Sequence, residues 1–464
     1  MKNIFIFINL IILNILLNNI HSYLIFPFKT RESQINDTDK DITLLFRSLL
    51  YNHIYIDLEI GEPKQTIEAF LSLDSTDFYI SEKTKNDIKT NCSQPKMHDV
   101  GSDLSKFFDK DKSTSLNITS QTKYQYIGNI GNIASDYLYF TTNTNENFKN
   151  AFKFVLYNST MGNRPAVIGL QFIRSQNDKE NNLIDKLKLN DIINSYYWMI
   201  NYTSEFEGNF IIGELPHIFD PSNFKEEELF TAHPFVYTAM SEKWGLRYDE
   251  ITFNGKNFRP YHECYFEYEY NYIGGINKLE KELDIYFNES ILNGTCFKKD
   301  IKYPYSPHIF FYCDKDKYIE NIKYFPKIEF YHSEINYTFV LDYKDLFIEK
   351  YDKLILLIFF ESYGSNWILG KPFLKKYQFL MNQDSKMVGF YIKKDKESTI
   401  DNNNNDNMSI TIKIILIIIG IIILFVLGIL ISKFYFGNKK KRINILDEDY
   451  DYTSKEDEIN KNIN

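Results

Sequence analysis

The sequence predicts an all-β ectodomain followed by one C-terminal transmembrane helix. Residues 51–395 are dense in short strand-like runs separated by turn residues, among them IYIDLEIG, GNFIIGEL and FPKIEFYH. Aromatic residues make up 17% of the chain, a composition that favours packed sheets over disorder. Near the C-terminus, an unbroken apolar run from Ile414 to Ile431 is almost long enough to cross the hydrocarbon core of a bilayer. Helical periodicity is weak elsewhere, except in NNLIDKLKLNDII, where apolar residues recur at helical spacing.

The N-terminus has the pattern of a secretory signal peptide, predicted at residues 1–22. Lys2 provides the basic start, an apolar stretch follows from Ile4 to Leu17, and Ser22 is a small residue suited to cleavage. The stretch is short for a membrane span, and an uncleaved signal anchor is the alternative.

The transmembrane helix is predicted at residues 410–432. A basic cluster, Lys439 to Arg442, follows it on the C-terminal side only, so the positive-inside rule places the tail, residues 433–464, in the cytoplasm. The expected localisation is therefore a single-pass type I membrane protein. Its ectodomain would be extracellular or in the lumen of the secretory or endolysosomal pathway.

Other features of the ectodomain fit the secretory pathway. Four cysteines suit an oxidising compartment, and no Cys/His cluster indicates a metal site. The net charge of −9 gives no electrostatic support for nucleic-acid binding. Residues 23–50 form a lead segment, and residues 396–409 form a polar stalk. N-glycosylation sequons begin at Asn36, Asn91, Asn117, Asn158, Asn201, Asn288, Asn293, Asn336 and Asn407.

A series of ordered motifs runs through residues 55–391. YIDLEIGEPKQ is followed by GNIASDYLYF, AVIGLQF and GNFIIGELPH, and then by KWGLRYDEITFNG, FPKIEF and NWILGKPFLKKYQFLMNQDSKMVGFY. In order and spacing these motifs resemble the pepsin-like aspartic protease family. The last one, which contains Trp367, Gly370 and Phe373, is the most specific of them.

The resemblance implies two β-rich lobes with a central cleft between them. The N-terminal lobe would span residues 51–230 and the C-terminal lobe residues 231–395. YLIFPFKTRES, directly after the signal peptide, resembles the start of a family pro-segment, which can serve as a strand of the interlobe sheet. The family uses no cofactor.

The family's reaction is peptide hydrolysis by a water molecule held between two aspartates that share a proton. Each aspartate begins a D-T/S-G turn, in which the hydroxyl braces the turns and the glycine lets the two backbones approach. Counting from Gln65, the first turn falls on Ser72, Leu73 and Asp74. None of the three residues matches the family pattern.

The second turn departs from the pattern as well. When Tyr272 and Ile273 are aligned with the hydrophobic pair that follows the motif, the turn falls on Glu267, Tyr268 and Glu269. A glutamate at the acid position carries its carboxylate more than ~1 Å too far, and catalytic geometry tolerates about half of that. The predicted positions of the family dyad are therefore Ser72 and Glu267, and we expect them to be inactive. A shifted register would instead make Asp74 and Glu269 the dyad.

The resemblance also implies a flap tyrosine, for which Tyr126 is the candidate, and a disulfide between Cys296 and Cys313. Cys92 and Cys264 stay open: they could pair with each other, pair with a partner chain, or remain free thiols.

Three functions remain after these observations. The leading hypothesis is a membrane-anchored, catalytically inactive family member whose cleft binds a polypeptide segment. The alternatives are an active membrane-bound aspartic endopeptidase and a structural or adhesive surface glycoprotein. Enzymatic activity is therefore left undecided by the sequence.

Overall fold

The computed structural model describes the ectodomain in segments: residues 22–31, 53–82, 106–124, 130–157, 164–173, 181–234, 243–258, 262–302, 307–361 and 366–392, with residues 42, 46, 49 and 50 of the lead segment. The predicted signal peptide, stalk, membrane span and cytoplasmic tail lie outside these residues. Within them, no helix is long and apolar enough to cross a membrane.

The described part is predominantly β, as predicted. In chain order the strands are β1 (Leu24–Arg31), β2 (His53–Ile60), β3 (Gln65–Ser72), β4 (Phe78–Ser81), β5 (Asn117–Tyr124), β6 (Ile130–Thr141), β7 (Asn147–Tyr157), β8 (Ala166–Gly169), β9 (Tyr197–Tyr202), β10 (Glu207–Ile212), β11 (Leu229–Ala232), β12 (Gly245–Tyr248), β13 (Glu250–Phe253), β14 (Lys256–Asn257), β15 (His262–Phe266), β16 (Ile273–Gly275), β17 (Cys296–Lys302), β18 (Pro307–Asp314), β19 (Ile328–His332), β20 (Tyr337–Leu341), β21 (Phe347–Lys350), β22 (Lys353–Leu356), β23 (Ile358–Glu361), β24 (Trp367–Leu369), β25 (Leu380–Asn382) and β26 (Met387–Tyr391). The α-helices are α1 (Leu183–Leu189), α2 (Pro216–Phe219), α3 (Asn277–Leu292), α4 (Lys315–Tyr318), α5 (Tyr343–Leu346) and α6 (Lys371–Tyr377).

The burial of the early strands follows their sequence pattern. The second half of β2 alternates buried and exposed residues, as expected for a strand with one face in the core. In β3 the last six residues are all buried, including the polar Glu68 and Ser72, as expected for a strand inside a sheet. Gly61, with φ of +83°, forms the turn between the two strands.

The largest sheet joins both ends of the described chain. Its strand order is β11-β26-β25-β9-β10-β1-β2-β3-β8-β4-β7-β6-β5. The lead-segment strand β1 lies inside this sheet, antiparallel to both β10 and β2. The lead segment is therefore part of the central β structure.

Two further sheets are built from residues between 245 and 369. One has the order β12-β15-β24-β16-β23-β18-β22-β21, with β17 paired to β18, and the other has the order β14-β13-β19-β20. Cys296 and Cys313 are register partners on β17 and β18 and form the predicted disulfide, with an S–S distance of 2.05 Å. This pairing is confirmed. Cys264 is buried in β15, whereas Cys92 lies outside the described residues, so the partner of each remains a prediction.

Helix α1 confirms the one long helical pattern predicted in the N-terminal half. Asn182 caps it, because its side chain accepts a hydrogen bond from the Asp185 backbone N–H. The core beneath the sheets contains all three tryptophans of the chain, Trp198, Trp244 and Trp367, each at most 1% exposed. Phe373 is also fully buried, as expected for a residue of the last motif.

Four described residues of the lead segment, Ile42, Phe46, Leu49 and Leu50, form what we call the lead cluster. Their spacing places them on one helical face. Phe46 stacks on Phe310 with ring centroids 4.8 Å apart and contacts Phe359 at 4.9 Å. The same buried cluster contains Tyr272, just beyond the second turn. The lead segment thus packs against the strands that support that turn.

Candidate functional site

The first turn (Ser72–Asp74) and the second turn (Glu267–Glu269) occupy equivalent places in two sheets. In the largest sheet, Ile168 of β8 is the partner of both Leu71 and Phe78. In the second sheet, Leu369 of β24 is the partner of both Phe266 and Ile273. The number of residues between the two partners is the same in both cases.

This pairing fixes which residues of the two turns correspond. Ser72 directly follows Leu71, and Glu267 directly follows Phe266, so these two residues are equivalent. By the same count Asp74 is equivalent to Glu269. The first residue of each turn also has a backbone hydrogen bond to the crossing segment, in opposite directions: Leu170 N donates to Ser72 O at 2.8 Å, and Glu267 N donates to Leu369 O at 3.1 Å.

Each turn also crosses a glycine at very close range. A Cβ atom on Gly169 would lie 2.5 Å from the backbone oxygen of Ser75, and one on Gly370 would lie 2.1 Å from that of Tyr272. Only glycine allows such an approach. The backbone framework of the two turns is therefore intact although their side chains differ from the family pattern.

The carboxylate of Glu269 is held by three partners from the other parts of the site. It lies 3.0 Å from Arg164 Nη2 and 3.1 Å from His53 Nδ1, and the Ser72 hydroxyl also donates to it. Burial works against ionisation, but Arg164, His53 and Ser72 together lower the pKa of Glu269 to about 2. Glu269 is therefore a fixed anion that joins the two turns.

Glu267 has the opposite behaviour although it is only two residues away. Burial raises its pKa to about 8, with the negative charge of Asp74 adding to the effect and Lys243 opposing it. Lys243 Nζ lies 2.5 Å from Glu267 and 2.9 Å from Asp74. A proton on Glu267 leaves two carboxylates, those of Asp74 and Glu269, to balance the charges of Lys243 and Arg164.

The central residue of each turn packs into the core and does not brace the turns. Leu73 is 3% exposed and belongs to the main hydrophobic cluster, as does Tyr268. Tyr268 packs against Trp198 with ring centroids 6.2 Å apart. Apolar contacts thus replace the hydroxyl brace that a D-T/S-G turn provides.

This arrangement limits the chemistry of the site. An ionised carboxylate with a pKa near 2 has little tendency to accept a proton from water. Ser72, Glu269 and His53 do not form a nucleophilic triad either, because the carboxylate lies between the hydroxyl and the imidazole. Among the described residues no group of three or more His, Cys, Asp or Glu side chains is placed to hold a metal ion.

Comparison with known proteins agrees with the fold. Residues 53–270 match the family model described as eukaryotic aspartyl protease. Over this range the chain resembles the pepsin-like aspartic protease family. The predicted family resemblance is thereby confirmed. A search of curated protein sequences gives no significant match.

Solved structures with this pepsin-like fold include two legume seed proteins. Basic 7S globulin from soybean is similar to the chain with a TM-score of 0.53 and 11% identity. Conglutin gamma, a basic 7S globulin from lupine seeds, is similar with a TM-score of 0.54 and 10% identity. Each match covers 80% of this chain and 95% of the solved chain. At such low identity the likeness shows the fold alone.

The predicted site residues of this pepsin-like chain are only partly brought together. Ser72 contacts Glu269, and Asp74 shares Lys243 with Glu267, so the contacts between the turns run diagonally. Asp74 and Glu269, the dyad in the shifted register, are bound to separate cations. The flap candidate Tyr126 falls between β5 and β6 and lies outside the described residues.

Three residues of the site were missed at the sequence level: His53, Arg164 and Lys243. Arg164 lies two residues before β8, and Lys243 directly precedes the buried Trp244. His53 and Arg164 each lie two residues before a family motif, and Lys243 begins one, but no family pattern requires a cation at these places. Only the fold brings them to the two turns.

Asp136, the aspartate of the GNIASDYLYF motif on β6, has a structural environment. It is 2% exposed and accepts hydrogen bonds from Ser113 at 2.7 Å and from Ser115 at 2.5 Å. It fixes the segment before β5 against β6.

Proposed function

We propose that this chain is a membrane-anchored pepsin-like protein that does not hydrolyse peptide bonds and binds a polypeptide segment through its cleft. One observation carries the loss of catalysis: Glu269 is bound by Arg164, His53 and Ser72 at the point where the two turns meet. The family's reaction needs a carboxylate pair that shares a proton and holds a water molecule.

The charge distribution explains why the remaining acids do not restore that pair. Ser72 provides no carboxylate at the first acid position, and Glu267 at the second is bonded to Lys243. Removing Arg164 would leave the buried Glu269 carboxylate without its main cation, which is costly in a water-poor site. We therefore propose that the cations stabilise the remaining acids of the site, which no longer form a catalytic dyad.

The binding role is supported by the sheet edge. Strand β5 is the terminal strand of the largest sheet among the described strands, so one of its edges lacks a described partner. An extended polypeptide can pair with such an edge through its main chain, and this mode of binding requires no catalytic acid.

The test is a peptidase and binding assay on the purified chain, between about pH 3 and 6, where the dyad of an active family member carries its shared proton. Denatured protein serves as substrate, with and without a transition-state peptide inhibitor, and an active family member serves as positive control. We expect the inhibitor or a peptide to bind without turnover. Inhibitor-sensitive cleavage that disappears in Asp74→Asn would instead support the active endopeptidase.

A structural or adhesive glycoprotein is the second candidate, favoured by the lead cluster. Phe46, Leu49 and Leu50 are at most 1% exposed against the strands behind the second turn, so the chain covers part of that surface itself. Binding of neither inhibitor nor peptide would support this candidate.

Membrane anchoring and glycosylation are part of the proposal. The apolar run from Ile414 to Ile431 and the basic cluster after it support anchoring. The sequon residues Asn117, Asn288, Asn293 and Asn336 are exposed, Asn201 is half-buried, and Asn36, Asn91, Asn158 and Asn407 lie outside the described residues. Resistance of the expressed chain to alkaline extraction and a mobility shift with glycosidase are the expected results.

A further inference from the structure

Helix α3 packs one face into the core and leaves apolar side chains on the opposite face. Leu279, Leu283 and Phe287 form the inner face and are buried at a spacing of four residues. Ile285 and Leu292 lie on the opposite face, and their exposed fractions are 66% and 78%. Seven residues are close to two helical turns, so these two side chains share one stripe of the helix surface. We call Ile285 and Leu292 the outer stripe.

Ion pairs on both flanks of α3 support this orientation. On one flank, Lys298 of β17 lies 2.9 Å from Glu280 and 2.7 Å from Asp284. On the other flank, Lys256 of β14 lies 2.5 Å from Glu282. A rotation of the helix about its axis would break these contacts and expose the inner face. The outer stripe therefore stays on the outside of the folded ectodomain, where its apolar surface is not removed from water.

Asn288 lies beside the outer stripe, between its two members along the helix. It is exposed and begins the sequon Asn288-Glu289-Ser290. Ile285 precedes it by three residues and Leu292 follows it by four. Side chains at these spacings are neighbours on a helix surface. A sugar attached to Asn288 would therefore start between the two exposed apolar side chains.

Two other sequons also lie beside an exposed apolar residue, but without this geometry. Asn117 is adjacent to Ile118, which is 43% exposed. Successive residues of a strand point to opposite faces of a sheet, so a sugar on Asn117 starts on the wrong face. Asn293 directly follows Leu292, and residues one apart on a helix do not face each other.

We infer that Asn288 carries an N-linked glycan whose first sugars cover the outer stripe. The inference rests on the proposed glycosylation of the ectodomain and gives one glycan a structural role. The C–H groups on the face of an N-acetylglucosamine ring contact the two aliphatic side chains, while its hydroxyl groups stay in water. This removes apolar surface from water and keeps two copies of the ectodomain from associating through α3.

The size and surroundings of the outer stripe favour a glycan over a polypeptide partner. The nearby exposed residues on the same side of the helix are Lys278, Lys281 and Glu289. Two aliphatic side chains among these charges do not make the extended apolar centre of a protein interface. A short sugar chain matches the size of the stripe, and it is attached within reach of both side chains.

The first measurement is the occupancy of each sequon. The full chain is expressed in a eukaryotic secretory host and placed in neutral-lipid nanodiscs, and its glycopeptides are analysed by mass spectrometry. We expect Asn288 to be occupied. If other sequons are occupied and Asn288 is not, the inference is overturned and the glycosylation proposal stands. If no sequon is occupied, both fail.

The second measurement is hydroxyl-radical footprinting of Ile285. Leu189 on α1, which is also 66% exposed and is beside no sequon, serves as the internal reference. Ser290→Ala removes the sequon at Asn288, whereas Ser290→Thr at the same position keeps it. Because the glycan covers Ile285, we expect its oxidation rate relative to Leu189 to be about twofold or more higher in Ser290→Ala. The Ser290→Thr variant should match the wild type.

Two further variants separate the glycan from the substitution. Asn288→Gln removes the same glycan at a different residue and should raise the oxidation of Ile285 as Ser290→Ala does. Asn293→Gln removes the neighbouring sequon and should leave it unchanged. The inference is overturned if Ser290→Ala and Ser290→Thr give equal oxidation of Ile285, if Asn288→Gln does not reproduce Ser290→Ala, or if Asn293→Gln has the same effect as Asn288→Gln.

Discussion

The first and second turns have the same backbone pairing but bury their charges very differently. At the equivalent third positions, the Asp74 side chain is 63% exposed, whereas that of Glu269 is 10% exposed. Within the second turn, two glutamates of the same chemistry have pKa values shifted in opposite directions. The difference shows that the partners from β2, from the residues before β8 and from the residues before β12 set the chemistry of the site.

The largest effect on the difference between the two turns is expected when the main cation of the second turn is removed. Arg164→Met leaves the Glu269 carboxylate buried with fewer partners, and we expect unfolding free energy to fall by about 3–5 kcal/mol. Thermal unfolding followed by tryptophan fluorescence measures this, because Trp198 and Trp244 are buried near Tyr268.

The matched control is the double variant Arg164→Met/Glu269→Gln, in which no buried charge is left behind. It should recover much of the lost stability. A loss below about 1 kcal/mol in the single variant would mean that Glu269 is not held as an ion.

The opposite pKa shifts of Glu267 and Glu269 predict opposite pH dependence. The pKa of Glu267 is raised from 4.5 to about 8, so its contribution to stability is full below about pH 4.5 and is lost as pH rises through 8. In Glu267→Gln this loss should disappear. The stability of the variant relative to the wild type should therefore be higher at pH 8 than at pH 5.

Glu269 provides the counterpart. Its pKa is lowered from 4.5 to about 2, so its contribution is present above pH 4.5 and is lost as pH falls toward 2. In Glu269→Gln the loss of unfolding free energy at low pH should disappear, whereas the loss at high pH should be the same as in the wild type. Urea unfolding of both variants across this pH range measures the two effects, and identical profiles would contradict the assignment.

The smallest effect is expected at the exposed position of the first turn. Asp74→Asn removes a contact with Lys243, but the aspartate is largely in solvent, so the change in unfolding free energy should be about 0–1 kcal/mol. A cost similar to that of Arg164→Met would show that the two turns are more alike than their exposure indicates.

Much of the fold was predictable from local patterns. Short strands between turn residues predicted a β protein, the spacing of LIDKLKL predicted α1, and the motif order predicted the family. The Cys296–Cys313 bridge was predicted from the family resemblance. In the structure it joins β17 and β18, which are paired antiparallel. The register counted from Gln65 and from Tyr272 agrees with the way the strands place Ser72 and Glu267 at equivalent positions, although their chemical role remains a prediction.

The charged contacts of the site could not be predicted in the same way. His53, Arg164 and Lys243 are more than 70 residues apart along the chain from one another. No local sequence pattern marks any of them as a residue of the site. Their meeting depends on β2, β8 and β12 belonging to two different sheets that converge on the turns. The lead cluster was missed for a similar reason, because the spacing of its apolar residues does not identify the surface against which they pack.

The sequence by itself determined the β architecture, the family motifs, the loss of the D-T/S-G pattern and the expected topology, because each depends on composition, spacing or local periodicity. The tertiary structure alone decided which charged residues meet at the two turns. Electrostatic contacts act over a few ångströms, whereas the residues that make them are far apart in the chain. Folding brings Arg164 and His53 to Glu269, where they keep its carboxylate ionised despite burial. At Glu267, which contacts Lys243, burial instead favours the protonated form.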